Sequence, residues 1–198
     1  ATLSNIKVAF KKMKNAVKEY KSDVFIYYSG HGAPDPDSKQ GFLVPVDADP
    51  NYIKATGYAV NELYALLNNI NAKSISVVID ACFNGSSAQG MILKDISPVS
   101  IKINNSILSG ENTVVYTSST GDQVSGWYRD KKHSLFTYYF LKALQGDGDV
   151  NRDKKLTLSE IKNYIDDNVP YMARRLRNIE QTPQLITNDE NTVLVNYK

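Results

Sequence analysis

The chain has 198 residues, 42% hydrophobic and 22% charged, with a net charge of +2, which suits one compact soluble domain. Dispersed charge of this size excludes the basic footprint of a nucleic-acid binder. No apolar run reaches bilayer length and no signal-peptide pattern opens the chain, so neither nucleic acid nor membrane is an expected partner.

Ile6, Phe10, Met13, Val17 and Tyr20 recur at helical spacing and predict an amphipathic helix over 3–20, capped by Thr2 or Ser4. The β-branched and aromatic run Asp23–Tyr28 predicts a buried strand that stops at Ser29-Gly30-His31-Gly32. Gly41–Val46 is extended, with Pro45 arguing for an edge or irregular strand. Val60, Leu63, Leu66, Leu67 and Ile70 mark a helix, and Ser74–Ile79 is a second buried strand ending at Asp80-Ala81-Cys82. Residues 83–112 carry no periodicity and predict a long connection. Thr113–Thr117 is a third buried strand, Leu135–Leu144 a helix, and 147–157 an acidic loop. A helix or pair of helices runs from Leu158 to about Asn178, with Pro170 restarting or kinking it. Thr192–Tyr197 is a closing strand. Strands alternating with helices predict an α/β domain with a mostly parallel sheet.

The lone cysteine excludes an internal disulfide and suits a reducing compartment, so the expected location is cytoplasmic. It needs another purpose, structural or reactive. His31 lies 51 residues upstream of Cys82, and both follow buried strands. Sites in open α/β sheets form beyond the carboxyl ends of strands, where these two residues fall. An imidazole titrating near neutrality can take the proton of a thiol, whose free pKa near 8.5 makes it a poor nucleophile unaided. His133, the only other histidine, sits in the charged run Arg129–His133 and reads as solvated surface.

Five pieces in order, Tyr28-Ser-Gly-His-Gly32, Gly41-Phe-Leu-Val-Pro-Val-Asp47, Val78-Ile-Asp-Ala-Cys82, Tyr116-Thr-Ser-Ser-Thr-Gly121 and Leu135-Phe-Thr-Tyr-Tyr-Phe140, resemble the caspase-like superfamily of cysteine peptidases. The resemblance is nearest to bacterial caspase-like peptidases and metacaspases. It implies a caspase-like fold over 1–145, lacking the usual first strand, with 146–198 as the C-terminal part of the same domain. It implies a Cys82 nucleophile, a His31 base, and an oxyanion held by the backbone N–H groups of Gly32 and Cys82. Caspases proper carry Gln two residues before the cysteine, whereas Asp80 stands here, as in relatives whose pocket acid pairs with Arg or Lys. Ser29, Asp80 and Asp122 are therefore the expected substrate-binding residues. The expected substrate is a peptide or protein with Arg or Lys before the scissile bond. Trp127 and Tyr128 are candidates to line the same groove, with core or surface packing as the alternative. The missing strand implies an N-terminal fragment of the same protein as a partner. Lys94 and Lys102, in the long connection, match the expected specificity and make self-processing an expectation. The alternative is a catalytically silent regulatory or calcium-responsive interaction module.

Residues 149–160 fit a twelve-residue EF-hand loop, which makes calcium the expected cofactor. Oxygen donors fall at Asp149, Asn151, Asp153, Thr157 and Glu160, with the carbonyl of Lys155 completing the set. Lys154 stands where such loops usually carry glycine. Of the separate aspartate-lined calcium site of metacaspases, Asp47 and Glu62 fall near two positions, while Asn61 replaces an acid.

Overall fold

A computed structural model describes residues 1–35, 37–38, 40–83, 86–87, 90–91, 112–120 and 123–198. The elements in chain order begin with α1 (Leu3–Ala16), β1 (Asp23–Ser29), β2 (Gly32–Pro34), β3 (Gly41–Leu43), α2 (Ile53–Thr56), β4 (Tyr58–Ala59) and α3 (Val60–Asn68). They continue with β5 (Ser74–Asp80), β6 (Ser86–Ser87), β7 (Gly90–Met91), β8 (Thr113–Thr117), β9 (Trp127–Tyr128), β10 (His133–Ser134) and α4 (Leu135–Lys142). The chain closes with β11 (Lys155–Thr157), α5 (Leu158–Arg177), β12 (Gln184–Ile186) and β13 (Val193–Asn196).

The central sheet has the order β1-β5-β8-β12, with β1, β5 and β8 parallel and β12 antiparallel to β8. Parallel strands need both faces covered, and the side-chain alternation of β5 and β8 shows how. Ile75, Val77, Ile79 and Val115 pack into one core with Val24, Ile26, Leu63 and Leu67, under α1 and α3. Val78, Val114 and Tyr116 point into the other, with Leu135, Phe136, Phe140, Ile161, Ile165 and Val169 of α4 and α5. The result is a three-layer α/β domain in which β1 is, among the described strands, an outermost one. Phe25 and Tyr27 are exposed on it.

α1 is shorter than the periodicity suggests. The Thr2 side chain caps it by accepting the Asn5 N–H at 3.2 Å, but the helix ends at Ala16. Val17 turns extended and Tyr20 adopts φ 53°. The Lys18 N–H donates to Ser22 Oγ at 2.9 Å and the Tyr20 N–H to the Asn71 carbonyl at 2.7 Å, so tertiary bonds redirect the chain into β1.

Pro170 does not break α5, which runs through it as one helix. Proline in a helix interior costs about 3 kcal/mol. Ile161, Ile165, Val169 and Ala173 line the buried stripe, and each large aliphatic side chain contributes about 1.5–3 kcal/mol on burial, so packing outweighs the break. The closing strand Val193–Asn196 forms, but it pairs with β11 rather than with the central sheet. The short strand β12 has no counterpart in the sequence reading. The connection expected over 83–112 lies mostly outside the described residues, Lys94 and Lys102 with it; within it β6 and β7 form a small antiparallel pair.

Candidate active site

The two strands that lead into His31 and Cys82, β1 and β5, are adjacent and parallel, so their carboxyl ends open on the same side of the sheet. Ser29 pairs with Asp80 in the β1–β5 register, and the Gly30 N–H donates to the Asp80 carbonyl at 3.2 Å, extending the ladder past the strand. His31 follows immediately. Its carbonyl accepts the Tyr28 hydroxyl at 2.7 Å and the Val44 N–H at 2.9 Å, which fixes the turn while the imidazole stays exposed.

Gly32 explains why the turn ends in glycine. A Cβ there would lie 2.7 Å from the Cys82 carbonyl oxygen and 2.6 and 2.8 Å from ring carbons of Phe83. The histidine turn therefore rests directly on the backbone leaving β5.

Ser29, Gly30, His31, Asp80, Ala81, Cys82, Ser125, Trp127 and Ser134 line one pocket of about 150 Å³. The structure thus gathers Ser29, His31, Asp80 and Cys82 around one cavity. Asp122 lies outside the described residues. Among the described residues the imidazole of His31 makes no hydrogen bond to Cys82. The sulfur instead accepts the Ser125 N–H at 2.7 Å. Cys82 is only 9% exposed. Burial pushes its thiol up to about 11, with the Ser125 amide opposing and the Asp80 charge adding to the rise. Burial thus favours the protonated, covered form of the Cys82 thiol.

Asp80 is buried and its carboxylate is well served. Oδ1 accepts the Ser125 hydroxyl at 3.0 Å, and Oδ2 accepts the hydroxyls of Ser134 and Thr137. Ser134 caps α4, accepting the Thr137 N–H at 3.0 Å, so the carboxylate sits against the N-terminal turn of that helix. Tyr27 bonds Thr137 Oγ1 at 2.8 Å and extends the chain of hydroxyls to the surface. A carboxylate offers about four acceptor positions, and donors from the described residues fill three.

Sequence reasoning missed Ser125, Ser134, Thr137 and Gln181. Ser134 and Thr137 have a capping pattern that marks a helix start, yet nothing in it tells that both hydroxyls also face Asp80.

The acidic loop folds on itself. Asn151 Oδ1 accepts the Asp153 N–H at 2.7 Å, Asp153 Oδ1 the Lys155 N–H at 2.8 Å, and Asp149 Oδ2 the Lys154 N–H at 3.1 Å. Lys154 takes φ 65°, the left-handed turn for which glycine is usual, at a cost of about 1 kcal/mol or more. Thr157 and Glu160 form a capping box at the start of α5, which directs the Glu160 carboxylate to the Thr157 N–H at 2.9 Å. Asp149 Oδ1 is buried without a hydrogen-bond partner among the described residues. Among the described residues no three acidic, imidazole or thiol groups converge as a metal ion requires. Nor is any described helix long and apolar enough to cross a membrane.

The sequence matches a family model described as Caspase domain over residues 1–193. Among solved structures it is similar to the crystal structure of caspase-1 from Spodoptera frugiperda. The TM-score is 0.64 at 14% identity, over 100% of this chain and 72% of that one. At that identity the likeness bears on the fold alone. A comparison with curated protein sequences returned no match. The family model spans nearly the whole chain and the fold agrees with it: this protein belongs to the caspase-domain family, whose enzymes are cysteine peptidases.

Proposed function

We propose that the chain is a cysteine endopeptidase that cleaves after Arg or Lys, with Cys82 as nucleophile, His31 as base and Asp80 as the specificity acid. The observation that carries this reading is the single pocket shared by Ser29, His31, Asp80 and Cys82. Among the described residues three donors meet the Asp80 carboxylate, which leaves it room for a cationic side chain, and a guanidinium taking two bonds displaces the Ser125 hydroxyl. His31 removes the thiol proton as the substrate carbonyl arrives. The sulfur then bonds to carbon, the carbonyl oxygen takes up negative charge near the amides of Gly32 and Cys82, and His31 returns the proton to the leaving amine. Water releases the acyl group by the same route.

The test uses fluorogenic peptides ending in Arg, Lys or Asp, with and without calcium. Turnover of the Arg or Lys peptide that vanishes in Cys82→Ala supports the reading. Turnover of the Asp peptide alone refutes the role of Asp80. No turnover favours a silent interaction module, a reading supported by the covered thiol.

Calcium belongs to the same proposal. The ligands would be Asp149, Asn151, Asp153, Thr157, Glu160 and the Lys155 carbonyl, and Asp149 Oδ1 supports this because it lacks a hydrogen-bond partner among the described residues. Binding requires Glu160 to swing away from Thr157. Millimolar calcium should raise the melting temperature of the wild type and not that of Asp149→Ala; equal responses exclude the loop.

A further inference from the structure

Gln181 follows α5 and is 1% exposed, an unusual place for an amide. Its side chain makes three hydrogen bonds. Nε2 donates to the Ser118 carbonyl at 2.8 Å and to Ser125 Oγ at 3.3 Å, while Oε1 accepts the Gly126 N–H at 2.8 Å. The Gly126 amide can only donate and the Ser118 carbonyl can only accept, so the network fixes which end of the amide points where. Ser118 is itself tied to β5, its N–H donating to the Ile79 carbonyl at 3.0 Å and its hydroxyl to the Ala81 carbonyl at 3.3 Å. A single buried side chain thus joins the end of β8 to the segment lying over the nucleophile.

We propose that Gln181 is a positioning residue for this pocket. It pins the Ser125–Gly126 backbone so that the Ser125 amide caps the Cys82 sulfur and the Ser125 hydroxyl meets Asp80. It hydrogen-bonds to neither the thiol nor the pocket carboxylate and acts through the segment it holds. Ser125 and Trp127 line the pocket on either side of Gly126, so loosening that glycine releases one wall. The inference rests on Cys82 and Asp80 working in one site, but alkylation of Cys82 reads it without peptidase activity.

Gln181→Met keeps the side-chain length and removes all three bonds. The loosened wall should uncover the thiol, and iodoacetamide should label Cys82 at pH 8 at least about tenfold faster than in the wild type. On a cleaved peptide the same variant should raise KM several-fold with a smaller change in kcat, as expected when a substrate wall rather than the dyad is disturbed. Val169→Ala, a cavity in the α5 core with no hydrogen bond lost at Ser125 or Gly126, controls for general loosening. An unchanged or slower alkylation rate in Gln181→Met overturns the proposal, and so does an equal acceleration in Val169→Ala. A wild-type measurement covers the case in which Gln181→Met fails to fold. The amides of Ser125 and Gly126 should exchange with deuterium at least about a hundredfold more slowly than unprotected ones, and exchange at the unprotected rate overturns the pinning.

Discussion

Gly32→Ala is the perturbation that probes how the site is assembled. The added methyl would sit 2.7 Å from the Cys82 carbonyl oxygen and 2.6 and 2.8 Å from two Phe83 ring carbons. Relaxed carbon contacts lie near 3.5–4.0 Å. The ring can tilt, but the carbonyl belongs to the backbone leaving β5 and cannot yield without moving Cys82. Overpacking of this kind costs about 1–3 kcal/mol, which in a domain of this size lowers the melting temperature by roughly 3–10 °C. Phe83 is 6% exposed, and Phe83→Ala alone should cost about 3–5 kcal/mol. The double variant removes two of the three close contacts, so its loss should fall short of the sum of the single losses by roughly 0.5–3 kcal/mol. Chemical denaturation of the four proteins measures this coupling. Additive losses refute the contact with the Phe83 ring, and a Gly32→Ala protein melting within about 1 °C of wild type refutes the view that the histidine turn rests on the Cys82 backbone.

Two further outcomes follow from the packing and the charges. The Cys82 thiol is raised from 9.0 to about 11, first by burial, so the folded state holds its proton more tightly than the unfolded chain. That preference is fully present below the unfolded value and is lost as pH rises through the folded one, an effect of at most about 2.7 kcal/mol. Wild type should therefore lose stability relative to Cys82→Ser between about pH 9 and 11, as urea denaturation can measure; a constant difference contradicts the buried neutral thiol. Pro170→Ala should restore a helical donor toward the Asp166 carbonyl. The expected gain is about 1–2 kcal/mol after allowing for the stiffer unfolded chain of the proline form, and a lower melting temperature contradicts the reading of α5 as an uninterrupted helix.

The three parallel strands of the sheet were legible because β1, β5 and β8 are short buried runs rich in β-branched residues, each ending in polar or glycine punctuation. His31 and Cys82 stood out as reactive types placed at the ends of two such runs. What escaped depends on contacts distant in sequence. β12 is three residues long and follows Pro183, too little for a periodic signal, and exists because β8 offers it an edge. α1 stops early because Tyr20 bonds to Asn71, a partner no local pattern names. Pro170 carries a strong local stop signal that the buried stripe of α5 overrides. At the site, Asp80 was legible as an acid beside the cysteine, but the hydroxyls of Ser125, Ser134 and Thr137 come from 45 to 57 residues away. Gln181 resembles any polar loop residue until the fold buries it.

Covalent labelling tests the central claim most directly. Peptidyl acyloxymethyl ketones ending in Arg, Lys or Asp are incubated with wild type and His31→Ala, and the modified residue is mapped by mass spectrometry. Attack by the thiolate on the methylene carbon forms a thioether and expels the carboxylate. The Arg and Lys reagents should modify Cys82 in the wild type, at a rate at least about a hundredfold lower in His31→Ala, while the Asp reagent leaves it free. Labelling by the Asp reagent alone, or labelling of Cys82 that does not depend on His31, would contradict the assignment of this pocket.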